Sequence, residues 1–318
     1  MNRTIASLLF VLLIQAGIVA VVYWSGEDSS HQAVAQALVP FDIDSIDEVQ
    51  IVDQYDNETV LQKAGDHWIL PTLASLPANP DMVQKLVQGI SAQNIWPIAH
   101  STVARQRFQV ADYHFQRSLT LSRAGKQLGT IYLGTSPGFR KVHARNSDQQ
   151  AIYSISFNTF DAPAVRGTWL EPKLLQIRAP VSITADSYSL NREGGNWLAA
   201  TGRAPDEREL QALLTALRTL QIDGVASNDR QRDLSEAEAD LILQVRGLAG
   251  ETTLELFTLE QEHFILSSEY ELFFGLSAYD FDRLTSIDFR LISGEAAPGT
   301  EPDSSAAADD VPVLERSG

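Results

Sequence analysis

The sequence predicts an α+β protein: an N-terminal transmembrane helix, then two tandem related domains, each with antiparallel strands and a segregated helix. Three observations predict it. Ile5 to Trp24 carries no charge, and about 20 such residues make roughly 30 Å of helix, the depth of a bilayer core. A stretch is written twice: residues 61–68 read Leu-Gln-Lys-Ala-Gly-Asp-His-Trp and residues 190–197 read Leu-Asn-Arg-Glu-Gly-Gly-Asn-Trp. Each copy leads into a helix of one register, with Val83, Leu86, Val87 and Ile90 matching Leu210, Leu213, Leu214 and Leu217. A match that runs through strand, turn and helix indicates an internal duplication. The expected division is 1–25 for a cytoplasmic N-terminus and anchor and 26–46 for a polar tether. The repeat domains are expected at 47–178 and 179–292, with an acidic tail, expected to be disordered, at 293–318.

Tyr23 and Trp24 stand where an interfacial aromatic belt falls, with Arg3 before the apolar run and Glu27 and Asp28 after it. The positive-inside tendency then leaves the N-terminus in the cytoplasm and the bulk of the chain outside, in the periplasm of a Gram-negative cell. The run is longer than a usual signal-peptide core and no small-x-small site follows it directly, so an uncleaved single-pass anchor in the inner membrane is expected. Gln15, Ala16 and Ala20 form a candidate packing face for another membrane helix.

In the first copy, residues 49–53 alternate as a strand, Asp56-Asn57 turns, and residues 59–63 return as the second strand of a hairpin. A proline-bearing loop over 71–80 leads to a helix from Asp81 to Gln93. Residues 118–123, 129–134, 141–145 and 151–155 then read as a four-strand meander, repeated at 241–246, 253–257, 263–267 and 271–274. Both copies reach a Phe-Asp pair, Phe160-Asp161 and Phe281-Asp282. Residues 173–175 and 290–292 are expected to close the two units.

The chain has no cysteine, which excludes disulfides, thiolate metal sites and a thiol nucleophile. Its net charge of −17 argues against nucleic acid as a partner. The charge is uneven: residues 47–178 hold 13 bases and 11 acids, whereas 179–292 hold 9 bases and 20 acids. The candidate basic face therefore belongs to the first copy: Arg117, Arg123, Lys126, Arg140, Lys141 and Arg145, several of which are expected to share one face from alternate meander strands.

The first copy resembles the bacterial domain of unknown function 4340 family. The resemblance is carried by the N-terminal anchor, Gly65-Asp-His-Trp68-Ile-Leu, Leu76-Pro-Ala-Asn79, the helix from Val83 to Ile90, and Leu119-Thr-Leu. Ile131-Tyr-Leu-Gly134, Ala144-Arg145 and Ile152-Tyr153 extend it. It covers roughly 47–175 well and the second copy more loosely. Members look like membrane-anchored extracytoplasmic proteins, often encoded beside ABC-2-type permeases and gliding-motility-type auxiliary subunits. The resemblance thus implies a non-catalytic accessory subunit of an ABC-type transport system, partnered by a permease or auxiliary membrane subunit. It implies no cofactor and no catalytic residue. The alternative reading is a stand-alone envelope protein that binds glycan or lipid.

A third reading, a serine hydrolase, rests on Gly134-Thr-Ser136-Pro-Gly138, a G-x-S-x-G pattern. Such a serine needs a strand-to-helix turn and a following backbone N–H. Here Pro137 removes that N–H and a strand follows, so a hairpin turn is expected. None of the six histidines has helical metal-ligand spacing, and no metal site is expected. Trp68 and Trp197 are expected in equivalent buried positions facing the helix stripe, with stacking on a sugar ring as the alternative.

Overall fold

The computed structural model describes residues 12–19, 35–248 and 250–295. Among them no helix is long and apolar enough to cross a membrane. Residues 12–19, Gln15 and Ala16 included, are helical and exposed. The rest of the expected transmembrane helix over residues 5–24, Ala20 with it, lies outside the described residues, as do residues 26–34 and 296–318. The chain divides into two compact units, Met1–Glu171 and Pro172–Gly318.

The first unit contains β1 (Glu48–Asp53), β2 (Glu58–Ala64), β3 (His67–Leu70), β4 (Leu76–Pro77), α1 (Pro80–Ile90), β5 (Pro97–Ala99) and α2 (Thr102–Arg107). It continues with β6 (Val110–Ala111), β7 (His114–Phe115), β8 (Arg117–Arg123), β9 (Lys126–Leu133), β10 (Val142–Asn146) and β11 (Ile152–Ile155). Nine strands form one antiparallel sheet in the order β4-β3-β2-β1-β8-β9-β10-β11-β5, and β6 pairs only with β7.

The second unit contains β12 (Pro180–Thr184), β13 (Ser189–Glu193), β14 (Asn196–Ala199), α3 (Glu207–Thr219), β15 (Ile222–Val225) and α4 (Asn228–Ser235). After these come β16 (Leu241–Gly247), β17 (Glu251–Leu259), β18 (Glu262–Ser267), β19 (Leu272–Leu276), α5 (Ala278–Thr285) and α6 (Phe289–Ile292). Its sheet runs β14-β13-β12-β16-β17-β18-β19-β15. That is the order of the first sheet with the two-residue β4 removed.

Register makes the correspondence residue by residue. Val49 pairs with Leu61 and Leu121 in the first sheet, and Ile183 pairs with Leu190 and Val245 in the second. One step further along the meander, Ala144 lies between Leu133 and Tyr153, and Ile265 between Leu256 and Phe274. Tyr153 and Phe274 are both fully buried. The alternation of β1, with Val49, Ile51 and Asp53 inward, is what a strand with a covered face requires.

The helices form where a cap and a stripe coincide. Asn79 Oδ1 accepts from the Asp81 and Met82 amides, Pro80 fills the first turn, and Val83, Leu86 and Ile90 are buried at helical spacing. Asp206 caps α3 in the same way above Leu210, Leu213 and Leu217. The first helix stops at Ile90 rather than Gln93: the Ser91 N–H makes the last helical bond, to the Val87 carbonyl, and its ψ of 17° turns the chain out of the helix.

The second unit closes through residues 290–292 as the sequence leads one to expect, whereas the first does not close through 173–175. A 3₁₀ turn over Arg166–Trp169 ends the first unit, and its Trp169 carbonyl accepts from the Asn79 N–H at the start of α1. In the second unit the Leu291 carbonyl of α6 accepts from the Asp206 N–H at the start of α3. Residues 173–175 belong to the second unit. The Phe-Asp pairs are not equivalent either, since Phe160 is exposed and Phe281 buried.

Candidate functional site

The repeated motif helps to build an apolar groove in the first unit. Gly65 supplies the positive φ (63°) of the tight turn between β2 and β3, and this places Trp68 opposite Lys63. The chain then folds back so that the Ala78 N–H reaches the Trp68 carbonyl at 2.8 Å, and α1 begins two residues later. On the other side, a 3₁₀ turn at Ile43–Ser45 is held by Asp42, whose Oδ1 accepts from the Asp44 N–H. Between these segments lies a groove of about 630 Å³, in the size range of small-molecule sites. Ile43, Ile46, Trp68, Pro77, Val83 and Val87 make its apolar lining. Asp44, Lys63, Asp66, His67, Gln84 and Glu171 supply polar groups around it.

Trp68 is therefore not the sealed core residue that its spacing predicts. It is half-buried, as is Trp197, which sits opposite Arg192 as Trp68 sits opposite Lys63. The cause is position in the sheet: β14 is an edge strand, and β3 is flanked on its outer side only by the two-residue β4. A helix over the sheet covers one side of such an indole and leaves the other open. The sealed tryptophan of the first unit is Trp169, fully buried, with Nε1 donating to the Pro163 carbonyl at 2.7 Å.

The six basic residues do not share a face. Arg145 is buried, its Nε donates to the Val110 carbonyl at 2.7 Å, and its guanidinium lies 4.9 Å from the centre of the Tyr132 ring. Burial, reinforced by nearby Arg105, lowers its pKa. Arg117 is half-buried and donates to the Ala162 and Gln116 carbonyls. Arg123 and Lys126 flank the β8–β9 turn, whereas Arg140 and Lys141 lie in the loop beyond the other end of β9. An eight-residue strand holds those pairs roughly 26 Å apart. Register puts Arg117 beside Leu133 and Ala144, so Arg145, one residue on, faces the other side of the sheet, which the segment over residues 108–116 covers.

Ser136 lies in the strand-to-strand loop between β9 and β10, its Oγ 2.7 Å from both the Gly138 and Lys141 carbonyl oxygens. Gly134 answers to packing: a Cβ there would come within 2.0 Å of the Phe108 carbonyl oxygen.

A threonine–histidine pair occurs in each unit and was missed in the sequence. The Thr135 hydroxyl is 2.9 Å from His143 Nδ1, and the His143 ring stacks on Phe108 at 4.1 Å. Thr258 is 3.3 Å from His263 Nδ1, and His263 stacks on Phe281 at 4.1 Å. The threonines share a register position, but the histidines are offset by one residue. The unequal β9–β10 and β17–β18 loops hid the pairing. Burial lowers the His143 pKa against an opposing hydrogen bond at Thr135. Among the described residues no group of three or more His, Asp or Glu is gathered to hold a metal ion.

A family model described as a domain of unknown function (DUF4340) matches residues 68–241. The chain belongs to this family. The DUF4340 match begins at Trp68 and runs to the first residue of β16, so it includes both tryptophans, α1 and α3. Among curated proteins and solved structures, none matches.

Proposed function

We propose that this DUF4340 protein is a non-catalytic, membrane-anchored extracytoplasmic subunit of an ABC-type transport system, and that it acts by binding. The observation that carries the binding role is the Trp68 groove, a concavity of ligand size walled by the β2–β3 hairpin, α1 and the Ile43–Ser45 turn. The anchor rests on the uncharged run from Ile5 to Trp24, with Arg3 before it and Glu27 and Asp28 after it. The transport context rests on the family resemblance. Extraction that keeps the bacterial inner membrane intact tests both. An ABC-2-type permease or auxiliary subunit, identified by mass spectrometry, is expected to accompany the chain. Recovery of the chain alone from the soluble fraction would contradict the proposal.

A second reading, a stand-alone envelope protein binding glycan or lipid, is favoured by the half-exposed Trp68 indole in that groove. Retention in the membrane without any permease would select it.

A further inference from the structure

Resting on the reading of the Trp68 groove as a binding site, we propose that its ligand is an uncharged saccharide, a pyranose ring packed on Trp68 with its hydroxyls held at the rim. Three features of the groove point there. The first is the indole, the largest apolar side chain of the lining, which keeps part of its surface open to solvent. A pyranose has an apolar face of axial C–H groups, and an aromatic ring is a matching platform for it.

The second feature is the rim. It carries one base, Lys63, and three carboxylates, Asp44, Asp66 and Glu171, together with the neutral amide of Gln84 and the imidazole of His67. Lys63, Asp66, His67 and Gln84 are all exposed. Mixed donors and acceptors with no excess of positive charge suit hydroxyls, which donate and accept at once. They do not suit a phosphate or a sulfated polymer, for which the acids would be repulsive.

The third feature is depth. Ile43, Pro77 and Val87 are only half-buried, so the groove is open along its length. An alkyl chain laid in it would keep much of its surface in water and gain little from burial. A sugar, polar at its edges and apolar on one face, loses nothing by remaining partly wet.

The second unit sharpens the assignment, because it repeats the frame with different groups. Asp66 and His67 are replaced by Gly195 and Asn196, and Val83 and Val87 by the larger Leu210 and Leu214. The repeated tryptophan is common to both units, whereas the acid at the turn and the short valines belong to the first.

The test uses the full chain in detergent, titrated calorimetrically with maltotetraose, chitotetraose and, in a separate arm, dodecanoate. At least one of the two saccharides should bind below about 1 mM, and Trp68→Ala should weaken it roughly tenfold or more. Trp68→Leu keeps an apolar side chain in place, so its melting temperature should stay near the native one while saccharide binding falls as in Trp68→Ala. Saccharide bound equally well by Trp68→Leu would overturn the proposal. Dodecanoate bound through Trp68, with neither saccharide bound, would make the groove an acyl-chain site and also overturn it. If neither saccharide binds, carrying Trp68→Leu through the membrane co-purification separates the two levels. Loss of the permease there leaves a binding groove and removes the saccharide, whereas its full retention removes both.

Discussion

The two units share one strand order and one register, yet they fill the second face of the sheet with opposite chemistry. In the first unit His143 and Arg145 face the segment over residues 108–116, whose backbone comes so close that only glycine fits at position 134. In the second unit the same register positions carry Phe257 for Gly134 and Phe264 for His143. These phenylalanines join Phe273 and Leu234 of α4 in an apolar cluster. A β-strand offers both faces independently, so the helix-facing residues can be kept while the other set is rewritten. What persists is therefore the helix side: Ile131 and Leu254, Leu133 and Leu256, Tyr153 and Phe274, all buried.

The largest effect should come from attacking those two second faces at their shared position. Phe257→Ala removes a ring that is 3% exposed and should cost roughly 3–5 kcal/mol in denaturant unfolding. Gly134→Ala forces a methyl against the Phe108 carbonyl and should cost roughly 1–3 kcal/mol. A neutral Gly134→Ala would show that the close approach is not maintained in solution.

Next come the tryptophans. Being half-buried alike, Trp68→Ala and Trp197→Ala should each cost roughly 1–2 kcal/mol, well below the cost of a sealed indole. A much larger loss at Trp197 alone would mean that the second unit buries its copy after all.

A smaller, pH-dependent difference is expected at His143. Its folded pKa lies below the ordinary value of 6.5, so the unfolded chain takes up the proton first as pH falls. The stability of the first unit is whole above about pH 6.5 and declines below it, toward the lowered folded value. His143→Phe, which places there the residue that the second unit carries at that position, should flatten this part of the melting-temperature profile between pH 7.5 and 5. An unchanged slope would exclude His143 as its source. The smallest effect is expected at Ser136→Ala, in an exposed loop, where the change should stay within about 0.5 kcal/mol.

Most of the frame was legible in the sequence because periodicity carries it. The alternating run at residues 49–53, the Asn79-capped helix and the four meander strands all lie within a few residues of their expected places. Residues 97–99, 110–111 and 114–115 were not legible, since two- and three-residue strands have no period to detect. The site was legible only in part. The motif around Gly65 and Trp68 was visible as a repeat, but its groove depends on Ile43 and Pro77 arriving from outside that motif. Burial of Arg145 depends likewise on the Val110 carbonyl, 35 residues away in the chain.

Filling the Trp68 groove with the second unit's own residues, Val83→Leu together with Val87→Leu, measures most directly whether it is the working site of the first unit. The double variant should melt close to the native chain and bind the oligosaccharide at least about tenfold more weakly in the same calorimetric titration. Binding kept at native strength in the filled variant, or lost instead in Trp197→Ala, would contradict it.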